Sequence, residues 1–232
     1  MTESLASDPA GIAQTVSLAV ESNNETKPVW IILGANETGN QKPYRFPTPM
    51  QMRAQVYTAL IHGATGIAYY TWDNYQARVN QCVGIAKAPL ISYFSNQLVA
   101  TSEQLVQSQG LWRQVTQINT ELDVLAGSLL SPTVSKAACD YVVNVYSPDQ
   151  EDLTHAPLRT LLKVNPNGGY ILMTVNVDRV RLRVRYVWPE PLVNAQRLFE
   201  SDSSVSLEAG GAGFTERYDP FETHIFQINP SE

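Results

Sequence analysis

The sequence of 232 residues predicts an α/β region followed by an all-β region. Helix and strand patterns alternate as far as residue 131, and short β-rich runs separated by turn signals follow it. The strand-like runs of the first part are continuously apolar, which is typical of parallel strands. We therefore expect two domains: a partial (β/α) barrel of two parallel strands with helices over 1–131, and an antiparallel β-sandwich over 132–232.

Two helix-start signals divide the first part into alternating elements. Asp8-Pro9 and Thr48-Pro49 each place a capping side chain directly before a proline, the preferred arrangement at a helix N-terminus. The runs between and after these helices are apolar and of strand length. The predicted elements are helices over 9–22 and 49–62 and strands over 29–33 and 66–70.

Two more helices, over 89–108 and 111–129, are predicted before the β-rich region. The second carries an apolar stripe at spacings of four and three, which a coiled coil also shows, but the stripe is under three heptads long. A helix that packs on the core is therefore favoured. The glycine-rich run 209–213 lies between strands and predicts a hairpin. The predicted strands are 140–146, 157–164, 169–177, 180–188, 195–199, 204–207 and 222–228.

Composition and motifs exclude several function classes. The net charge is −6 and the sequence pI is about 5.1. No basic face is present for nucleic acid or an anionic membrane, so neither is expected as a partner. No apolar run reaches the length of a membrane span, and no signal peptide is recognised, so we expect a cytoplasmic chain unless a longer parent is exported. The histidines and cysteines lack metal-ligand spacing, so no metal or other cofactor is expected.

Three motifs resemble the end of a known enzyme architecture. The stretches 27–33, 45–53 and 63–72 look like the seventh strand, the following helix and the eighth strand of a (β/α)8-barrel glycoside hydrolase. The helix that ends at Leu129-Leu130-Ser131-Pro132 resembles the final barrel helix, and the β-rich tail resembles the sandwich that many of these enzymes carry. The resemblance covers nearly the whole chain but matches only the C-terminal portion of such an enzyme.

This resemblance implies a set of site residues. In the retaining enzymes a nucleophilic Glu follows strand seven, an acid/base Glu follows strand four, and an aromatic side chain after strand eight stacks on the sugar. Trp72 fits the stacking position. Glu37 is the candidate nucleophile, but it departs from the pattern of these enzymes because it comes four residues after Leu33 rather than directly at the strand end. The strand-four acid has no counterpart in the sequence.

Glycoside hydrolysis requires two carboxyl groups that flank the scissile bond. Glu37 and Asp73 are the catalytic candidates, because both lie on the loop face at the carboxyl ends of the strands. The alternatives are a solvated loop carboxylate for Glu37 and an Asx-turn or cap for Asp73. Aromatic rings would pack on sugar C–H groups while polar neighbours bond the hydroxyls. The substrate-binding candidates are Trp72, Tyr70, Asn36, Asn74, Tyr44 and Arg45.

The length of the first region bears on the function. A complete (β/α)8 barrel takes about 250 residues, so two strands would leave long unpaired edges. Three solutions stay open: a truncated glycosidase, a homo-oligomer that covers the open sheet edge, or helices folded across the strands. We expect a glycoside hydrolase-like protein that acts on a carbohydrate or small glycoside, with a non-catalytic carbohydrate-binding or assembly module as the alternative.

Overall fold

The computed structural model describes residues 9–24, 26–37, 45–71, 84–85, 102–135, 139–149 and 157–231. By its internal contacts the chain divides into two compact units, Met1–Asn119 and Thr120–Glu232. The fold is mixed, with a parallel two-stranded sheet and two antiparallel sheets, as expected. The partial barrel and the domain boundary at residue 131 stay predictions.

The first unit contains the predicted order of helix, strand, helix and strand. Its helix α2 begins with a capping box: the Thr48 hydroxyl accepts from the backbone N–H of Gln51 at 3.1 Å, and the Gln51 side chain accepts from the Thr48 N–H at 2.9 Å. The two strands pair in parallel. The elements are α1 (Pro9–Ser22), β1 (Trp30–Gly34), α2 (Pro49–Ile61) and β2 (Gly66–Tyr70).

One face of β1 is open, although its apolar run predicts burial on both faces. Leu33 is buried and α2 contacts the strand, whereas Trp30 and Ile32 are 72% and 71% exposed. The Trp30 indole lies over Gly66 on β2, so that a Cβ added at Gly66 would meet ring atoms at 2.6 Å. The prediction of two buried faces is wrong for this strand, because within the described residues only one face is covered by a helix.

A single long helix, α3 (Ser102–Leu130), spans the second predicted helix and the end of the first. It runs without a break through Gln109 and Gly110, where the sequence prediction placed the gap between 89–108 and 111–129. Residues 89–101 lie outside the described residues. The predicted apolar stripe is buried at Leu111, Val115, Ile118 and Leu125. None of the described helices is long and apolar enough to cross a membrane.

The second unit is an antiparallel sandwich, as predicted. One sheet has the strand order β3-β6-β8 and the other β4-β5-β9-β7. Side chains from both sheets form one apolar core, in which Tyr186 and Phe214 of the first sheet meet Phe226 of the second. The strands are β3 (Val142–Tyr146), β4 (Leu158–Val164), β5 (Tyr170–Asn176), β6 (Leu182–Val187), β7 (Leu192–Arg197), β8 (Gly213–Tyr218) and β9 (Thr223–Pro230).

One strand prediction in the sandwich is wrong, and one strand was not predicted. Residues 204–207 form only isolated bridges, from Ser204 to Gln196 and from Leu207 to Phe214. Strand β8 was not predicted, because the buried Glu216 interrupts the apolar alternation of Phe214 and Tyr218. The predicted hairpin over 209–213 is a 3-10 turn, Ala209–Gly211, that leads into this strand.

Candidate functional site

The carboxyl ends of β1 and β2 lie side by side. The strands pair in register, so Gly34 is opposite Tyr70, and the backbone N–H of Ala35 donates to the carbonyl oxygen of Tyr70. The segment that carries Asn36 and Glu37 therefore leaves the sheet beside the residue that ends β2. This is the edge at which barrel-type enzymes place their reacting groups.

The Glu37 carboxylate is held by a residue that the sequence did not indicate. Gln104, in the first turns of α3, donates from Nε2 to Oε1 of Glu37 at 2.9 Å, and Glu37 is half-buried. Because the two residues are 67 positions apart, no local pattern connects them. Asn36, also half-buried, lies next to Gly34 at the end of β1. The amide of Asn36 and the carboxylate of Glu37 thus follow the end of β1 at Gly34 by two and three residues.

Tyr69 and Tyr70 have opposite surroundings, as the alternation along β2 predicts. Tyr70 is 55% exposed at the carboxyl end of the strand. The Tyr69 hydroxyl instead donates to Oδ1 of Asn119 at 3.4 Å, and burial raises the pKa of Tyr69 to about 12. Tyr70 therefore offers an accessible ring at this edge, while Tyr69 belongs to the packed side of the sheet.

Of the remaining predicted site residues, only Arg45 lies within the described part of the chain. Arg45 is exposed ahead of α2 and forms no hydrogen bond or ion pair with the described residues. Trp72, Asp73, Asn74 and Tyr44 lie outside the described residues. Across the ranges that the structure describes, no group of three or more His, Cys, Asp or Glu side chains could hold a metal ion.

A second group of polar residues lies in the sandwich, around the buried His224 of β9. Nδ1 of His224 is 2.5 Å from Oε1 of Glu200, and Nε2 is 3.3 Å from the carbonyl oxygen of Arg217 and 3.6 Å from Oε2 of Glu222. Burial alone lowers the pKa of His224, but the hydrogen bonds and charges of the two glutamates outweigh it and raise the pKa to about 9. The imidazole is therefore protonated at neutral pH and donates from both nitrogens.

This histidine predicts a pH dependence of stability. A pKa raised from about 6.5 in the unfolded chain to about 9 in the folded one stabilises the protein fully below pH 6.5, and this stabilisation is lost as the pH rises toward 9. Urea unfolding at a series of pH values measures the effect. We expect the free energy of unfolding to fall across this window in the native sequence, and the His224→Gln variant to lack that fall. An equal fall in both proteins would contradict the assignment.

The comparisons with known proteins add little beyond a fold likeness. No family model matches the sequence, and no curated protein matches it. Solved structures do match, among them an alpha-amylase from Anoxybacillus that is described as giving insights into a new glycosyl hydrolase subclass. The match covers 95% of this chain and 45% of the amylase chain, with 11% identity and a TM-score of 0.47. The chain thus spans less than half of that enzyme, and its structural likeness to a glycoside hydrolase is weak and distant.

Proposed function

We propose that this chain is a glycoside hydrolase-like protein that binds carbohydrate at the carboxyl edge of β1 and β2. One observation carries the proposal: the exposed ring of Tyr70 and the held carboxylate of Glu37 belong to the same edge of one unit. An open aromatic ring beside fixed polar groups is a combination that suits a sugar.

The chemistry of a pyranose matches this edge. Its C–H face packs on an aromatic ring, and its hydroxyls both donate and accept hydrogen bonds. Tyr70 supplies the ring, the Glu37 carboxylate accepts from hydroxyls, and the Asn36 amide can do either. The hydrogen bond from Gln104 fixes the Glu37 side chain before a ligand arrives, which reduces the entropy lost on binding.

Catalysis requires a second carboxyl group. Carboxyl groups about 5–5.5 Å apart give retention, and those about 6.5–9.5 Å apart give inversion. In the proposal Asp73 is this second group, because it follows β2 by three residues and so belongs to the chain that leaves the same edge as Glu37. Trp72 and Asn74 on either side of it complete the substrate contacts. Without the second group the edge would bind sugar without cleaving it.

Turnover of nitrophenyl glycosides tests the hypothesis that the chain is a glycoside hydrolase. We expect Glu37→Gln and Asp73→Asn each to lower kcat by about 10²-fold or more, because each removes a group that takes part in proton transfer or nucleophilic attack. Glu103→Gln, an exposed glutamate on the same helix turn as Gln104, is the matched control and should leave kcat unchanged.

The outcomes separate the two functions. Turnover that survives both substitutions would contradict the catalytic assignment. If the native chain gives no turnover but binds oligosaccharides, and Tyr70→Ala weakens that binding about tenfold, the chain is a binding module. The control for this substitution is Tyr146→Ala, since Tyr146 on β3 is equally exposed. An oligosaccharide affinity that Tyr70→Ala leaves unchanged would contradict the proposed site.

The proposal includes self-association through the open side of the two-stranded sheet. Trp30 and Ile32 expose large apolar side chains on one face, and within the described residues no third strand pairs with β1 or β2. A second copy would cover both the face and the edge. Light scattering should therefore give a mass of two or more chains, shifted toward one chain in Ile32→Ser but not in the sandwich control Val193→Ser. A single-chain mass for the native sequence at all concentrations would contradict it.

A further inference from the structure

The three-stranded sheet of the sandwich carries arginines on its outer face, the face away from the apolar core. Strand β6 alternates buried and exposed residues, and the exposed ones include Arg183. Arg217 of β8 lies between two buried neighbours, Glu216 and Tyr218, and is exposed as well. Because side chains alternate between the two faces of a strand, Arg183 and Arg217 both belong to the outer face.

These two arginines are direct neighbours across the sheet. Arg183 is opposite Arg217 in the antiparallel register of β6 with β8, a position at which Cβ atoms are about 4.5–5.5 Å apart and like charges repel. Within the described part of the chain, neither guanidinium has a hydrogen bond or an ion pair. The chain as a whole has a net charge of −6, so this pair of positive charges is a local feature and not the result of a basic composition.

The arginines on either side along β6 are matched by carboxylates of the chain itself. Nη2 and Nε of Arg181 donate to the two oxygens of Asp149 at 2.6 and 3.1 Å. Nη2 and Nε of Arg185 donate to the two oxygens of Glu208 at 2.6 and 2.8 Å. The fork of a guanidinium fits a carboxylate in this two-bonded way. The row of Arg183 thus repeats the chemistry of its neighbours without the acidic group.

The other groups on this face favour a sugar as the carrier of that acidic group. Tyr146 of β3 is opposite Arg183 on the side away from β8 and is 59% exposed, and Asn144 is opposite Arg185. An aromatic ring packs on the C–H face of a pyranose, and an amide bonds its hydroxyls. The backbone of β6 is paired with a strand on each side, so this face offers only side chains. An extended peptide would instead add to a free sheet edge.

We propose that the outer face of the three-stranded sheet binds an acidic saccharide, whose carboxylates accept from Arg183 and Arg217 and whose ring packs on Tyr146. Each bound carboxylate supplies what Asp149 and Glu208 supply to the neighbouring arginines, and it screens the repulsion between the two guanidiniums. The site lies in the sandwich unit, takes a charged ligand and uses no residue of the β1–β2 edge. It therefore goes beyond the proposed function and does not depend on it.

The experiment is a titration of the ¹⁵N-labelled full chain with trigalacturonate at 50 mM NaCl, followed by NMR. We expect saturable shifts at the backbone amides of Tyr146, Arg183 and Arg217. Arg183→Gln and Arg217→Gln should each weaken the affinity about tenfold, the effect of one hydrogen bond between charged groups. Each change also removes a like-charged neighbour, so neither should lower the Tm. The control Arg113→Gln removes an exposed arginine from the other unit and should leave the affinity unchanged.

Other ligands distinguish a saccharide site from a general anion site. Neutral maltotriose should not shift these amides, since it lacks the charge that the two arginines require. Trigalacturonate should bind more tightly than sodium sulfate or hexaglutamate. Tyr146→Ala should weaken trigalacturonate binding about fivefold and leave sulfate binding unchanged, because only the sugar has a ring to pack on the tyrosine.

Three results would overturn the proposal. The first is the absence of saturable shifts at these amides with trigalacturonate. The second is an equal loss of affinity in Arg113→Gln and Arg183→Gln, which would show an effect of net charge alone. The third is tighter binding of hexaglutamate or sulfate, which would assign the face to an acidic peptide or to a simple anion. Tyr70→Ala should leave the trigalacturonate shifts as they are, so that failure of the β1–β2 site and failure of this one are distinguishable.

Discussion

Replacing Phe226 by alanine is expected to destabilise the sandwich by about 3–5 kcal/mol. The side chain is fully buried on β9, which lies between β5 and β7 in the four-stranded sheet. Its ring is 5.1 Å from that of Phe214 and 6.0 Å from that of Tyr186, both on the opposite sheet. Truncation removes apolar contact with both sheets at once and leaves a cavity that rigid strands cannot close.

Urea unfolding followed by near-ultraviolet circular dichroism measures this loss. Val193→Ala is the matched control, because Val193 lies on the neighbouring strand β7 but is 70% exposed, and the change should stay within about 0.5 kcal/mol. A similar small loss for Phe226→Ala would mean that the two sheets do not share the core described above.

The second large effect concerns the buried ion pair of the sandwich. The Glu216 carboxylate accepts from Nη2 of Arg197 at 3.0 and 3.1 Å, and its side chain is only 6% exposed. Burial raises the pKa of Glu216, an effect that Arg197 only partly offsets. Arg197→Met leaves this carboxylate buried without its cation, so we expect a loss of about 3–5 kcal/mol at pH 7.

The way in which the stability loss in Arg197→Met changes with pH shows whether the buried Glu216 charge causes it. Without Arg197 the pKa of Glu216 in the folded state lies above its value in the unfolded chain, so the folded variant binds the proton more readily. The loss relative to the native sequence should therefore shrink as the pH falls toward about 4.5. A double-mutant cycle with Glu216→Gln provides the control, since Arg197→Met should cost much less in that background. If Arg197→Met costs the same at pH 7 and at about pH 4.5, and the same with Glu216 or Gln at position 216, the loss does not come from the buried carboxylate.

Local signals in the sequence were sufficient for much of the architecture. The Thr48-Pro49 pair located the start of α2, because a capping hydroxyl and a proline act within one helical turn. Side-chain alternation along a strand accounts for the different surroundings of the exposed Tyr70 and the half-buried Tyr69 on β2. The parallel pairing of β1 with β2 followed from two apolar runs joined by a helix, and it brings residues 34–37 to the end of β2.

Features that depend on distant partners were not predictable. Strand β8 escaped prediction because Glu216 looks like an exposed residue until Arg197 is seen beside it. Gln104 was missed for the same reason, since only the fold brings it to Glu37. The open face of β1 also differs from the sequence prediction. Trp30 and Ile32 are large apolar residues in a continuous apolar run, and no local signal indicates that both side chains are exposed in the folded chain.

The central claim is that carbohydrate binds at the carboxyl edge of β1 and β2. Hydrogen–deuterium exchange of the native chain, with and without an excess of a mixture of neutral oligosaccharides, tests it most directly. We expect slower exchange on ligand addition at residues 34–37 and 70–74, and unchanged exchange at the amino ends of the same strands around Trp30 and Gly66. Unchanged exchange at both carboxyl ends, with or without protection elsewhere in the chain, would contradict the claim.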